Sequence, residues 1–133
     1  MVLQRVKNYS KPEQVLGKQL PTNIEAEKSV LGAILLSDEN FGKVASILVA
    51  NDFYLPAHQL IFSTFCDLIE KYKRIDIVTL QDELEKKDQL EQAGGIVYLI
   101  ALQENIPAMG LVEQHAEIIK EKATLRQVIS SAT

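Results

Sequence analysis

The sequence predicts an all-α fold, a compact bundle of about six helices, and two observations carry this prediction. Apolar residues recur at spacings of three and four in six separate segments, which is the period of one face of a helix. The breaks between these segments are short, as in compact helical domains. The one strand-like stretch, at Ile75, Ile77 and Val78, is too short for a strand and has no partner strand in the chain.

The first predicted helix follows Pro21 and runs to about Leu36. Thr22 and Glu25 have the spacing of a capping box, in which each side chain satisfies a free backbone N–H group of the first turn. Gly32 lies inside this helix, where it costs about 1 kcal/mol relative to Ala but can let another helix approach closely. The apolar face of the helix consists of Ile24, Ala26, Val30, Leu31, Ile34 and Leu35.

Three further helices are predicted between residues 37 and 87. Segment 37–39 offers a cap and an acidic first turn to a second helix that ends near residue 51. Pro56 suits the first turn of a third helix, because its missing N–H group has no intrahelical partner there, and this helix runs to about Tyr72. Asp76 or Thr79 caps the fourth helix.

Two more helices follow a glycine pair. Gly94–Gly95 predicts a turn with positive φ, and the fifth helix extends from residue 96 to about residue 103, before Pro107. The last helix begins near Ala108 and has no stop signal before Thr133. We expect a mobile tail over residues 1–20, a globular helical domain over 21–107, and a helix over 108–133 that leads onward in a longer protein. The stripe of the last helix is Val112, Ala116, Ile119, Ala123 and Val128.

The composition is that of one soluble globular domain. The 133 residues are 47% hydrophobic and carry a net charge of −4, with Lys and Arg interleaved with Asp and Glu. Weak or no direct DNA binding by this domain alone is therefore expected, because such binding needs a basic surface. The single cysteine, the absence of a signal peptide and the lack of a membrane-spanning run favour a cytoplasmic location.

No motif for catalysis or cofactor binding is present. Gly42–Lys43 and Gly17–Lys18 lack both the upstream glycine and the following Ser or Thr of a P-loop. The two histidines, His58 and His115, are far apart, and no Cys-x-x-Cys pair exists, so no metal site is indicated. We expect this chain to be non-catalytic and to hold no cofactor.

Three remaining features have structural interpretations. His58 is interpreted as a residue at a helix start that hydrogen-bonds locally and fixes the loop, in preference to a ligand or base. Cys66, beside Phe62 and Phe65, is interpreted as a small buried thiol rather than a nucleophile. The charged run Glu83, Glu85, Lys86 and Lys87 is interpreted as a solvated helix face.

Five blocks, in order over about residues 21–129, resemble the N-terminal domain of DnaB-type bacterial replicative helicases. One departure lies between Pro107 and His115, where Gly110 and His115 differ from the family pattern. The blocks are segment 21–35 (PTNIEAEKSVLGAIL), segment 52–54 with His58 and Ile61–Phe62, segment 75–80 (IDIVTL), Gly94–Gly95 with Tyr98–Leu99, and segment 121–123 with Leu125–Arg126.

The resemblance implies an assembly and docking domain. The parent protein would be a hexameric ring that unwinds DNA with ATP and Mg²⁺ held in a RecA-like domain. In the family, N-terminal domains pair through helical hairpins, so residues 108–133 would be the first helix of a truncated hairpin. The resulting collar recruits a DnaG-type primase and helicase loaders. A stand-alone helical adaptor or regulator is the alternative, and a small enzyme is a third.

Four residues are predicted to bind partners. The resemblance points to Glu25, Tyr98 and Ile129 for contact with primase, although Glu25 can be only a capping partner and Tyr98 only a core residue with its hydroxyl at the rim. Leu125 and Ile129 bound the far half of the last helix, which has no obvious intrachain partner. An exposed apolar stripe of this kind usually marks an interface, whereas folding back onto its own domain is the alternative.

Overall fold

The structure is a computed structural model that describes residues 20–104 and 111–132. Within these residues six α-helices and one 3-10 turn are joined by short loops, and no strand occurs. The elements are α1 Ile24–Leu36, α2 Asn40–Ala45, the 3-10 turn Ala50–Asp52, α3 Pro56–Glu70, α4 Ile77–Lys86, α5 Gly95–Glu104 and α6 Val112–Ala132. The all-α prediction is confirmed.

Helix α1 lies at the centre of the bundle and packs against α2, α3, α5 and α6. Five of the six residues of its predicted apolar face are buried, with Leu31 and Ile34 inaccessible to solvent, whereas Ile24 is half-buried. Gly32 is also buried. Phe62 of α3 packs against the rings of Phe41 and Phe53, with centroid distances of 5.6 and 5.2 Å. Each such buried side chain stabilises the fold by about 1.5–3 kcal/mol, so α1 and the phenylalanines form the main core.

The N-terminus of α1 is capped one residue later than predicted. Asn23, not Thr22, is the N-cap, and its Oδ1 accepts a hydrogen bond from the backbone N–H of Ala26 at 2.9 Å. Asn is at least as good a cap as Thr, so the shift costs nothing locally. Glu25 therefore falls in the first turn with its side chain in solvent, 3.7 Å from Lys28, and the predicted capping box does not form.

The predicted cap of the second helix is also wrong. Helix α2 has only six residues, and its N-cap Glu39 makes no side-chain cap. The carboxylate of Asp38 instead accepts two hydrogen bonds from the guanidinium of Arg74, at 2.6 and 2.8 Å, and one from the N–H of Ile75. These donors lower the pKa of Asp38 to about 2. Asp38 thus ties the start of α2 to the loop before α4.

The predicted start of α4 is confirmed. Asp76 is the N-cap and accepts from the N–H of Thr79 at 2.8 Å, while the Thr79 hydroxyl accepts from the N–H of Asp76. Both candidates are therefore used, in one reciprocal box. Helix α3 begins at Pro56, as predicted, and ends at Glu70.

The charged run of α4 is not wholly a solvated face. Glu83 is only 2% exposed, and its Oε2 accepts from Nζ of Lys71 at 2.5 Å. The Lys71 ammonium is the main reason that the pKa of Glu83 is lowered. Lys86 and Lys87 pair with Asp82 and Asp67 at the surface. The buried carboxylate connects α4 to the end of α3, and periodicity in the charged run did not reveal it.

The predicted glycine turn is confirmed. Gly94 and Gly95 have φ values of 109° and 83°, which L side chains rarely adopt. Gly94 is constrained a second time, since a Cβ there would lie 2.5 Å from the ring of Tyr98.

Helix α6 buries four of the five residues of its predicted stripe, namely Val112, Ala116, Ile119 and Ala123. The fifth, Val128, is 60% exposed, because apolar burial on the domain stops at Ala123.

Residues 1–19 and 105–110 lie outside the described residues, and with them the predicted tail and the domain boundary at Pro107 and Ala108. No described helix is both long enough and apolar enough to cross a membrane.

Two glycine substitutions should change stability in opposite directions. Gly94→Ala should lower the free energy of unfolding by about 1–3 kcal/mol, because alanine must adopt a strained φ and meet the Tyr98 ring. Gly42→Ala should raise it by about 0.5–1 kcal/mol, since Gly42 lies in α2 with no atom near the added Cβ. Urea unfolding measures both. Equal effects of the two variants would contradict this account of the turn.

Candidate protein-docking surface and the buried network beneath it

A charged residue lies on the buried face of α1. Because the helix begins after Asn23, Glu27 shares a face with Leu31 and Ile34, and its side chain points into the core. Glu27 is 1% exposed. Burying a carboxylate is strongly unfavourable unless it is paired and hydrogen-bonded, so the partners of Glu27 decide whether this helix can pack as it does.

Two donors satisfy Glu27. Its Oε1 lies 2.7 Å from Nδ1 of His58, and its Oε2 accepts from the backbone N–H of Tyr54 at 2.7 Å. His58 is fully buried in the first turn of α3. An ionised carboxylate only accepts hydrogen bonds, so Nδ1 of His58 carries the proton and donates it.

Tyr98 of α5 completes the network. Its hydroxyl lies 2.5 Å from Nε2 of His58, and the two rings are nearly parallel with centroids 6.0 Å apart. Burial, followed by the negative charges of Glu27 and Glu25, raises the pKa of Tyr98. The phenol therefore keeps its proton, and its oxygen is hydrogen-bonded to Nε2 of His58. The network joins α1, α3 and α5 through directional hydrogen bonds.

The interpretation of His58 as a locally bonded residue is therefore wrong. His58 bonds to side chains 31 and 40 residues away in sequence. The signal that could have identified this network is Glu27, which stands among apolar residues at spacings of four and seven on the first helix. Its partners carried no comparable signal, because they are distant in sequence.

The structure brings two of the four predicted partner-binding residues together. Glu25 is exposed on α1, and its charge acts on the half-buried Tyr98 of α5. Val97, 78% exposed, and Ile100 are also accessible on α5, but at one and two positions from Tyr98 they lie on other faces of the helix. Tyr98 is thus a rim residue whose hydroxyl points inward while part of the side chain remains accessible. We call the surface formed by Glu25 and Tyr98 the α5 surface.

The other two predicted residues lie on the second half of α6. Leu125 is 42% exposed and Ile129 is half-buried. Helices α5 and α6 each pack mainly against α1 rather than against each other. The four residues therefore belong to three helices, α1, α5 and α6, and α1 packs against both of the others.

The second half of α6 does have an intrachain partner, contrary to prediction. The Arg126 guanidinium donates to the carbonyl oxygens of Asp52 and Pro21, at 2.7 and 2.9 Å, and lies 5.3 Å from the centroid of the Tyr54 ring. One turn and a half earlier, Nζ of Lys120 lies 3.1 Å from the Asp52 carboxylate. Polar contacts thus hold this face of α6, while Leu125 and Val128 remain exposed.

His115, one of the departures from the family pattern, has a defined position. Its Nδ1 lies 2.7 Å from the hydroxyl of Ser29, so it ties the first turn of α6 to α1. The other departure, Gly110, lies outside the described residues. Cys66 is half-buried rather than fully buried, and burial raises the pKa of its thiol, as do the neighbouring Asp67 and Glu70. A raised pKa supports its interpretation as an unreactive cysteine.

No chemistry of a catalytic site is evident in residues 20–104 and 111–132. Among them no group of three His, Cys, Asp or Glu side chains is placed to hold a metal ion. The titratable side chains of the buried network, Glu27, His58 and Tyr98, form hydrogen bonds with one another. The arrangement is that of a rigid helical scaffold whose exposed side chains can contact other proteins.

Glu27 should be required for folding stability. Glu27→Ala should lower the free energy of unfolding by about 2–4 kcal/mol, because the Tyr54 N–H and the His58 Nδ1–H lose their acceptor inside the protein. The matched control is Glu25→Ala, whose exposed carboxylate should change stability by less than about 0.5 kcal/mol. Chemical denaturation of both variants is the measurement. A Glu27→Ala variant as stable as Glu25→Ala would show that the network does not stabilise the fold.

Comparison with known proteins places this architecture. Residues 19–121 match the family model of the DnaB-like helicase N-terminal domain. The replicative DNA helicase DnaB of Pasteurella multocida (strain Pm70) is 36% identical over 126 residues, covering 93% of this chain and 27% of that protein. The crystal structure of the N-terminal domain of DnaB helicase from Mycobacterium tuberculosis has a TM-score of 0.82 and 36% identity, covering 86% of this chain and 83% of that one.

A further solved structure is the N-terminal domain of DnaB helicase from Helicobacter pylori, described together with its interactions with primase. It has a TM-score of 0.69 and 27% identity, and covers 80% of this chain and 83% of that chain. The chain spans about a quarter of the length of the curated relatives it matches. Because the family model and these similarities cover most of the described bundle, the chain belongs to the DnaB-like helicase N-terminal domain family.

Proposed function

We propose that this domain is the assembly and docking module of a replicative DNA helicase, without catalytic activity of its own. Its full-length relatives are named replicative DNA helicases, and the chain corresponds to about a quarter of them. ATP-driven unwinding of duplex DNA would then belong to a RecA-like domain that binds ATP and Mg²⁺. The chain itself has no P-loop sequence.

One observation carries the assembly part of the proposal. Helix α6 changes character along its length: its first half is anchored by buried apolar residues, whereas Leu125 and Val128 in its second half are exposed. Apolar side chains presented on a regular helix are suited to pairing with another helix. Self-association through this end of α6, giving a dimer and a hexameric collar in the parent, explains why it extends beyond the apolar core.

The α5 surface is the proposed primase site, together with Ile129. The related Helicobacter pylori domain is described with its interactions with primase. Here Tyr98 offers an anchored, half-buried aromatic side chain with the negative charge of Glu25 close to it. Anchored aromatic residues are frequent centres of binding energy. Helicase loaders are proposed as further partners of the same collar.

Direct DNA binding by this domain is proposed to be weak or absent. The chain carries a net charge of −4. Several of its basic side chains are already paired with carboxylates, namely Lys28, Lys71, Arg74, Lys86, Lys87 and Lys120. Pairing reduces the positive charge available to phosphates. We propose a cytoplasmic location at the replication fork for the parent protein.

Charges placed on the exposed end of α6 should weaken self-association. Leu125→Glu combined with Val128→Glu puts two carboxylates on the proposed helix-pairing face, and the dissociation constant of the dimer should rise at least tenfold. Sedimentation of the chain at several concentrations measures this constant.

The control adds charge to the same helix away from that face. Gln114→Glu, exposed near the start of α6, should leave self-association unchanged. Self-association that persists in the double variant, or that is lost equally in Gln114→Glu, would reject the second half of α6 as the assembly surface.

Primase binding should depend on the α5 surface. Tyr98→Ala and Glu25→Lys should each weaken binding of a primase C-terminal domain about tenfold or more, because the first removes an aromatic anchor and the second inverts a charge. Tyr72→Ala is the control. Tyr72 is 99% exposed in the loop between α3 and α4, far in sequence from both Glu25 and Tyr98. Isothermal titration calorimetry gives the constants. Glu25→Lys breaks no buried contact. If this variant binds primase as tightly as the unmodified chain does, the α5 surface is not the primase site.

A further inference from the structure

The buried network and α6 are connected by one continuous series of contacts. Tyr98 bonds to His58, His58 bonds to Glu27, and Glu27 accepts from the backbone of Tyr54. The Tyr54 ring then lies beneath the guanidinium of Arg126. We call Tyr98, His58, Glu27, Tyr54 and Arg126 the polar relay. It starts at the α5 surface and ends within the second half of α6.

The middle of the relay is a segment held from both sides. Glu27 fixes the backbone of Tyr54 from the side of α1, and Arg126 fixes the carbonyl of Asp52 from the side of α6. Asp52 also pairs with Lys120 of α6. Between them Phe53 is completely buried, and its carbonyl accepts from the side chain of Gln59. Residues 52–54 therefore cannot shift on one side without displacing the contacts on the other.

We propose that the polar relay couples the α5 surface to the docking of the second half of α6 on the domain. A change at the Tyr98 hydroxyl alters the hydrogen bonding of His58 and Glu27, and the altered position of Tyr54 changes the platform on which Arg126 rests. Coupling of this kind is reciprocal, so a force on α6 changes the α5 surface by the same free energy. The relay rests on the proposed function only for the identity of its effector, a primase domain bound at Tyr98.

The intrinsic coupling is tested in the 133-residue chain without any partner. Tyr98→Phe removes only the hydroxyl that begins the relay, and Arg126→Gln removes the guanidinium that ends it. Each variant should lower the equilibrium constant for folding in urea titrations. Their combined effect should fall short of the product of the separate effects by at least about threefold, because cutting the relay once already uncouples its far end.

The control cycle pairs Arg126→Gln with Tyr72→Phe, which removes a hydroxyl from a tyrosine 99% exposed to solvent. Effects of unconnected sites multiply to within about twofold. The relay is overturned if the effects of Tyr98→Phe and Arg126→Gln on the folding equilibrium constant also multiply to within about twofold. A deviation in the Tyr98 cycle alone supports it.

Hydrogen exchange locates the coupling. In Tyr98→Phe, amides of residues 124–131 should exchange at least threefold faster than in the unmodified chain, while those of α4 keep their rates. Unchanged exchange in α6 would contradict the relay even if stability falls. Adding a primase C-terminal domain separates the two proposals. If it does not bind, the proposed primase site is rejected and the relay is not. If it binds and changes α6 exchange equally in the unmodified chain and in Arg126→Gln, the relay is rejected and the primase site is not.

Discussion

Burial of the Glu27 carboxylate is the constraint on which the arrangement of this domain depends. An unpaired charge among Leu31, Ile34 and their neighbours would be strongly destabilising, so the fold must bring donors to it. Those donors come from the start of α3 and from the segment before it, and α5 joins through Tyr98. Apolar packing alone tolerates small rotations of a helix, whereas these hydrogen bonds have direction. Rotating α1 by one residue would separate Glu27 from His58 and leave both unsatisfied.

A second buried carboxylate, that of Glu83, is also paired with a donor, but this donor is more exposed to solvent. Glu83 ties α4 to the end of α3 through Lys71, but its Oε1 has no protein partner among the described residues. The Lys71 side chain is also half exposed, so water competes for its ammonium. The Glu27 network, in which both carboxylate oxygens are satisfied inside the protein, therefore fixes geometry more firmly than the Glu83 pair. The difference matches their positions, since α1 is central and α4 lies at one side of the bundle.

Sequence reasoning succeeded where the physics is local. Helical periodicity, the Asp76 cap, Pro56 at the start of α3 and the Gly94–Gly95 turn each depend on a few consecutive residues, and each was predicted. The cap of α1 failed by one residue because Thr22 and Asn23 are adjacent residues of similar capping strength. The site could not be predicted in the same way. Arg126 reaches carbonyls 74 and 105 residues away, and no local pattern encodes such a meeting. The family resemblance supplied Glu25 and Tyr98 but not the network behind them.

The way in which α6 is held determines what it can do. Its first half is fixed by buried Val112, Ala116 and Ile119, and removing these from the core would expose apolar surface at a cost that grows with area. Its second half is held by the hydrogen bonds of Arg126, whose net contributions are about 1 kcal/mol each because water offers alternative partners. A helix anchored firmly at one end and reversibly at the other can change its docking without unfolding the domain. The exposed Leu125 and Val128 lie in the reversible half, where a partner helix would find them.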